Sequence, residues 1–433
     1  MAERAASRRS VLQAGGALLA GSAAGALPFA PRAVAQVPPR VSVSGDRLLV
    51  EGHPFHVRGA TGNGPLPLLA MIGGNTLRTY GEDPAATLDA AQAAGLKVIV
   101  GFWLGHPRLG ADYTDAGFVA RQLDELAALV RRHRHHPALL MWGIGNEVEV
   151  GLDDGDDALV WPAIGAAAAL VKSLDPEHPR MAVLAELGGG KLGRLMAGAP
   201  DIDVLGVNSY GEALPSVPGR ARAQGWTGPI VITEAGPLGQ WQAATTPWGA
   251  PFEPTSTQKS ILMRRHLAVL EPTGVGIVAF LWGQKQEVTP TWHSLFLPSG
   301  EWTETVEALA GSWGGSTPGG NHAPRITELR FAHDPSAPFG SWPAAAGGAV
   351  VLGALDPDGD PLDVRWRVMA ESTARGIGGD AETVPAEITG AVIAGDLAGA
   401  RIGPLPAGRY RLFVELRDGR GAAATGNLPF EAR

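Results

Sequence analysis

From residue 56 onward, short apolar runs alternate with longer stretches in which apolar residues recur every three or four positions. The runs are HVRGA (56–60), NTLRTYG (75–81), LKVIVGFWLG (96–105), LLMWGIGNE (139–147), MAVLAEL (181–187), VLGVNSYG (204–211), PIVITEAG (229–236) and VGIVAFLWG (275–283). Apolar side chains fill neighbouring positions in these runs instead of alternating with polar ones, the pattern of parallel strands buried on both faces. Between them, PAATLDAAQAAG (84–95) and FVARQLDELAALVRRH (118–133) carry helical periodicity. Eight strand–helix units over roughly 270 residues predict an α/β protein built on a (β/α)8 TIM barrel. The competing doubly wound sheet would need a Gly-x-Gly-x-x-Gly turn after its first strand, and none is present. Ahead of the first run, VSVSGDRLLVEG alternates around Gly45-Asp46 and predicts a hairpin.

The pattern changes at SWGGSTPGGNHAP (312–324), a Gly/Pro/Ser stretch read as a linker over 314–324. Beyond it, RITELRFA, AVVLGALD, LDVRWRV, ARIGPLP and RYRLFVELRD are short alternating runs separated by turns. They predict a small immunoglobulin-like β-sandwich over 325–433, following a catalytic barrel over 36–313. Asp356, Asp358 and Asp360 sit in the turn DPDGD, where they could bind calcium but are expected to shape the turn, since Asp and Gly favour that geometry unaided. The sandwich has few aromatics for gripping a ligand (Trp366, Tyr410, Phe413), so its expected role is to pack on the barrel.

Residues 1–35 belong to a different class. SRRSVLQ places paired arginines before a small-residue apolar stretch, and AVA (33–35) offers a peptidase site, together a twin-arginine export signal. A periplasmic or secreted location follows as the expectation, with no membrane insertion after cleavage. The chain has 433 residues, 45% hydrophobic and 18% charged, and a formal charge of −8. Removing the +3 of the signal (Arg4, Arg8, Arg9 and Arg32 against Glu3) leaves −11, a charge unsuited to nucleic acid. The single basic cluster, RRHRHH (131–136), falls at the end of a predicted helix, where cations complement the dipole. With no cysteine, disulfides, thiolate metal sites and a cysteine nucleophile are excluded.

Functional side chains of such a barrel project from the C-terminal ends of its strands. The run LLMWGIG ends in Asn146 and Glu147, an acidic finish that a buried strand does not need. The other predicted tips carry Arg78 and Tyr80, Trp103 and His106, Glu186, Asn208 and Tyr210, Glu234, and Trp282. Two carboxylates flanking a bond can cleave a glycoside through an oxocarbenium-like transition state, and aromatic rings offer sugars an apolar face. No Gly-x-Ser-x-Gly elbow and no His-Glu-x-x-His helix occurs, so neither a serine hydrolase nor a metal centre is indicated, and no cofactor is expected.

HPALLMWGIGNE resembles the strand-four motif of retaining glycoside hydrolases whose catalytic glutamates lie on strands four and seven. The likeness is greatest to the barrels of glycoside hydrolase family 2. PIVITEAG supplies the second glutamate; NSYG, GNTLRTYG and GVGIVAFLWGQKQEVTPTWHSLF extend the likeness over about residues 40–313. RTYG and GNEV are also similar to family 17 β-1,3-glucan enzymes of the same clan. The resemblance implies Glu147 as acid/base and Glu234 as nucleophile, with carboxyl groups about 5–5.5 Å apart. It further implies that Asn146 binds the hydroxyl beside the reacting carbon, that Tyr210 and Arg78 hold Glu234, and that Trp282 walls a subsite. Trp103, His106 and Asn208 complete the expected substrate contacts. Ala235 and Gly236 stand where aromatic residues commonly follow the strand-seven glutamate.

The implied activity is hydrolysis of a β-linked glycan, with β-glucan as the expected oligo- or polysaccharide substrate. Transglycosylation by the same residues and non-catalytic glycan binding are the alternatives. Glu149, Glu186, Glu212 and Glu287 are expected to be solvated or hydrogen-bonding residues. Trp241, Trp248 and Trp292 are further subsite candidates, and the long loop PLGQWQAATTPWGAPFEPT (237–255) is expected to shape the cleft.

Overall fold

The computed structural model describes residues 41–152, 157–333 and 338–433. The expected export signal lies outside them. Eight parallel strands close into a barrel: β1 (Arg58–Thr61), β2 (Thr76–Arg78), β3 (Lys97–Phe102), β4 (Leu139–Ile144), β5 (Arg180–Ala185), β6 (Val204–Tyr210), β7 (Ile230–Gly236) and β8 (Gly276–Phe280). Each is followed by a helix: α1 (Leu66–Met71), α2 (Ala85–Ala93), α3 (Ala116–His133), α4 (Val160–Leu174), α5 (Lys191–Gly198), α6 (Val217–Ala223), α7 (Ser256–Leu270) and α8 (Glu304–Trp313). The residues of β4, β6, β7 and β8 are all buried, which is why their sequences show no alternation. The predicted hairpin pairs Val41–Ser44 with Arg47–Val50, and its Val41 and Leu48 pack with Ile99, Met141, Met181 and Val278. That apolar plug shuts the N-terminal end of the barrel and leaves the C-terminal end for chemistry.

The C-terminal residues form two antiparallel-rich sheets. Strand β9 (Trp302–Thr303) belongs to the segment joining β8 to α8. After α8 come β10 (Arg325–Phe331), β11 (Gly340–Trp342), β12 (Gly348–Leu355), β13 (Asp363–Ala370), β14 (Val392–Asp396), β15 (Gly399–Ile402), β16 (Gly408–Arg417) and β17 (Ala422–Ala432). One sheet runs β9-β17-β16-β13, with β11 also on β17, and the other runs β10-β12-β15-β14. Trp342, Tyr410 and Phe430 stack between the sheets, so Tyr410 is core. Asp356 accepts the backbone N–H groups of Asp358 and Asp360, and Arg420 pairs with Asp360, the bonding of a turn held by its own side chains.

Barrel and sandwich share structure. The barrel segment β9 pairs in parallel with β17, placing Trp302 opposite Ala422. At the start of α7, Thr257 accepts the N–H of Ile326 and Ser256 that of Thr425. Beside them, Glu253 pairs with Lys259 and accepts from Asn427, whose carbonyl accepts from the buried Arg411. Arg411 also binds Glu371 and the Pro251 carbonyl. The Gly/Pro/Ser stretch is correspondingly a packed connection: Thr317 and Asn321 are buried, and Asn321 bonds Asp418 of the sandwich. Gly and Pro there serve tight turns, not slack. Arg411→Ala should lower stability by roughly 3–5 kcal/mol, because it strands the buried Glu371 carboxylate, and urea unfolding measures the loss.

Candidate active site

The strand-four run delivers its glutamate through the backbone. β4 ends at Ile144, and Glu147 takes a left-handed conformation (φ 50), uncommon for a non-glycine residue and often found where side chains are aimed for function. The Glu147 N–H donates to the Val183 carbonyl of β5 at 3.0 Å, which pins the turn. As a result Asn146 and Glu147 both face a cavity at the C-terminal mouth, whereas Glu149 turns away. Glu149 is buried against β5, accepting the Ala185 N–H and pairing with Lys191.

Glu234 is aimed by a different device. The register of β7 slips between Ile232 and Glu234 against β6, and between Ile232 and Ala235 against β8. Such an irregularity bends a strand and redirects its side chains. Three donors converge on the Glu234 carboxylate: Tyr80 Oη (2.8 Å) and Arg78 Nη1 (3.3 Å) on Oε1, and Tyr210 Oη (2.7 Å) on Oε2. Burial and the adjacent Glu234 charge push both tyrosines well above the usual phenol value, so they remain donors. The small residues after Glu234 now have a reason. A Cβ on Gly236 would sit 2.3 Å from the Tyr210 ring, so a side chain there would displace this tyrosine from its carboxylate.

Asn146 joins the two glutamates. Its Oδ1 accepts from Arg78 Nη2 (2.7 Å) and Asn208 Nδ2 (3.1 Å), and Asn208 Nδ2 also reaches Glu147 Oε1 at 2.8 Å. With its oxygen occupied twice, Asn146 keeps its amide N–H groups for a ligand in the cavity. Asn208 is itself oriented by Thr233 Oγ1, which donates to its carbonyl oxygen.

Glu147 is pushed up to about 8, foremost by burial and then by the Glu234 charge, which together outweigh the Asn208 hydrogen bond. It therefore holds its proton at neutral pH and can donate it. The rate with a substrate that needs that proton should fall as pH rises through about 8, and a pH profile of kcat/KM checks it. The linkage has the same sign. A carboxyl raised in the folded state favours folding while protonated, and this contribution is lost as pH climbs from the ordinary carboxyl range through about 8.

The cavity is about 560 Å³, within the roughly 300–1,000 Å³ typical of small-molecule sites. Its walls include Trp103, Trp241, Phe280 and Leu281, and Trp241 is 63% exposed, with a free face for a sugar ring. Gln240, Trp241 and Gln242 come from the long loop after β7, whose Gln242 also bonds the Tyr210 carbonyl.

Two expected substrate contacts, Trp282 and His106, lie elsewhere. Trp282 is fully buried; its indole donates to the Pro65 carbonyl and meets Phe296 edge-on at 4.9 Å. It fills the wall between β8 and the β1 loop instead of walling a subsite. His106 lies behind Trp103, stacked at 4.5 Å, and burial with the neighbouring Arg108 pushes it down to about 4, so it is neutral. Arg78 lies under the cavity floor, with its guanidinium spent on Glu234, Asn146 and the Thr233 carbonyl. Of the further tryptophan candidates, Trp292 is buried and bonds the Leu238 carbonyl, while Trp248 packs on Phe339 of the sandwich. Among the other carboxylates, Glu186 and Glu287 line the cavity but pair with Arg220 and Lys285, and Glu212 pairs with Arg265.

Sequence reasoning assigned no role to Tyr80, although RTYG sets it two residues past Arg78. It also passed over Lys285, in the run after β8, and residues 376–380 and 382 of the sandwich, which line the cavity too.

Comparison with known proteins bears on the barrel. The barrel is similar to those of β-glucuronidases. Human β-glucuronidase is 27% identical over 191 residues, 39% of this chain and 27% of that protein. The solved β-D-glucuronidase of Dictyoglomus thermophilum superposes with a TM-score of 0.50 at 20% identity, over 64% of this chain and 53% of its own. A family 2 β-galacturonidase from Eisenbergiella tayi gives 0.50 at 18% identity, over 64% and 53%. The chain thus spans about a quarter of the curated relative and about half of each solved structure. These likenesses agree with the family 2 resemblance read from the sequence and with the barrel fold. No family model matches the chain.

Proposed function

We propose that the chain is a retaining glycoside hydrolase acting on β-linked sugars, with Glu147 as acid/base and Glu234 as nucleophile. One observation carries the reading: two carboxyl groups at one barrel mouth sit in opposite environments. Glu147 is kept protonated, while Glu234 faces a guanidinium and two phenol donors. Attack of Glu234 on the anomeric carbon forms the glycosyl ester as Glu147 gives its proton to the departing oxygen. Glu147, now a carboxylate, takes a proton from water, which attacks the same carbon and releases Glu234. Asn146 offers its amide to the hydroxyl beside the reacting carbon, and Trp103 and Trp241 stack on the sugar.

The relatives are named for uronides, but charge in this cavity favours a neutral sugar. Besides the protonated Glu147, its walls carry Glu186, Glu234, Glu287, Asp380 and Glu382, of which Glu186 and Asp380 are paired with Arg220 and Arg108. Among the described lining residues Lys285 is the one lysine or arginine, and it is held by Glu287 (2.7 Å) and the Gly379 carbonyl. A sugar carboxylate entering would meet this acidic wall with its cation already paired, an unfavourable exchange of hydration for repulsion. A neutral β-glycoside, β-glucan among them, meets no such cost.

The test is a panel of 4-nitrophenyl β-glucoside, β-galactoside and β-glucuronide with β-1,2-, β-1,3-, β-1,4- and β-1,6-glucans, with all products resolved. Cleavage of neutral substrates in preference to the glucuronide is expected; preference for the glucuronide would reverse the charge argument. Longer sugars instead of shorter ones would make the acceptor another sugar, and no turnover of any β-glycoside would overturn the hydrolase.

A further inference from the structure

The cavity is not built by the barrel alone. Gly376, Ile377, Gly378, Gly379, Asp380 and Glu382 belong to the sandwich, between β13 and β14, yet they line it. This segment spans the mouth like a strap. Asp380 makes a bidentate pair with Arg108, which follows β3, at 2.7 and 3.0 Å. On either side of it in the chain, the Gly379 carbonyl accepts from Lys285, which follows β8, and Glu382 accepts the Val288 N–H. Just ahead of these anchors, the strap passes the acid/base. A Cβ added to Gly378 would lie 3.6 Å from Glu147 Oε2 and 3.0 Å from Arg108 Nη2. Gly378 (φ 59) and Gly379 (φ 78) hold left-handed conformations, so backbone without side chains approaches the reacting groups. Next to them, Ile377 is 55% exposed although it lines the cavity, a large apolar side chain left more than half uncovered by the described residues.

We propose that this sandwich strap is the wall of the leaving-group side of the active site, with Ile377 as the contact that selects what is cleaved. The inference rests on the hydrolase reading above. The acid/base lies beside the oxygen of the departing group, so whatever packs against Glu147 meets that group and not the sugar held by Glu234. The strap is anchored at strands three and eight, and it leaves a pocket where an open groove would otherwise cross the barrel. On this proposal the strap bars a long chain from running past Glu147. The substrate class is therefore a short β-linked saccharide or a chain end, whose departing residue places an apolar face on Ile377.

Two variants separate this role from bracing. Ile377→Ala removes an exposed side chain without touching the fold, and Asp380→Ala releases the Arg108 anchor. Each is assayed with β-glucosyl fluoride and with β-1,3- and β-1,4-linked diglucosides, or their galactosyl counterparts if the panel selects galactose, alongside thermal midpoints. Fluoride leaves with almost no acid assistance and makes no contact with the strap, so it reports on Glu234 and the sugar it holds. We expect kcat/KM for the disaccharides to fall roughly tenfold, the scale of one lost contact of about 1.4 kcal/mol, while fluoride hydrolysis stays within about twofold. Equal losses on fluoride and disaccharide, with a lowered midpoint, would make the strap a brace and overturn the proposal. Unchanged kinetics on both substrates in both variants would overturn it as well. Wild-type protein inert towards every glycosyl fluoride would instead sink the hydrolase reading, and this inference with it.

Discussion

Glu234→Gln should reduce turnover by on the order of 10⁴-fold or more, the scale of loss when a covalent nucleophile is removed. Glutamine keeps the shape of the side chain but cannot form the glycosyl ester. It also places an amide where one of three donors now meets a carboxylate oxygen, so Arg78 or one tyrosine must turn away. The variant carries a second signature. Glu234 is the largest contributor, after burial, to the raised proton affinity of Glu147. Without that charge, the Glu147 carboxyl should titrate lower than about 8, which carbon-13 NMR of labelled glutamate would follow in the inactive protein. Retained turnover would assign the nucleophile elsewhere. An unmoved titration would leave burial alone to account for the proton on Glu147.

Glu147→Ala should show a leaving-group dependence that no structural defect imitates. General acid catalysis is worth roughly 10²–10⁴-fold, so disaccharide hydrolysis should drop by that factor. A 4-nitrophenolate departs without a proton, so its release in the first step should be largely spared. The glycosyl ester on Glu234 would then accumulate, because no base remains to take a proton from the attacking water. Azide needs no base. It should restore turnover by attacking the same anomeric carbon, expelling Glu234 and giving a glycosyl azide of β configuration, which NMR of the product identifies. Equal losses with every leaving group and no azide adduct would remove Glu147 from the acid/base role. The geometry favours the first outcome, since Asn208 holds Glu147 by one oxygen and Glu149 is turned away towards β5.

Much of this was legible in the chain. Strands buried on both faces must be apolar throughout, so each barrel strand announced itself, and the few polar residues at their ends stood out as candidates. Asn146, Glu147, Asn208, Tyr210 and Glu234 were found in this way, and all five line one cavity. Trp282 and His106 misled for a physical reason. A large ring at a strand end can point into the mouth or into the wall, and residues distant in sequence decide which. For Trp282, the bare backbone at Gly64 admits the indole, and the Pro65 carbonyl takes its N–H.

The sandwich shows where reading by sequence ends. Its alternating strands and turns were evident, and its scarcity of exposed aromatics pointed to packing alone. Packing is there, in the shared strand pairing and the buried Arg411 cluster. Yet the same docking carries ARGIGGD (374–380) across the mouth to Glu147, some 230 residues earlier in the chain. A glycine-rich turn has the same local pattern whether it hangs in water or covers a reactive carboxyl. Sequence alone thus determined what each segment must bury, and with it the barrel, its open end and the placing of Glu147 and Glu234 at that end. Tertiary structure alone decided the proton on Glu147, the triple hold on Glu234 and the sandwich segment beside Glu147, because burial, charge proximity and docking are set by distances between residues, which no single segment contains.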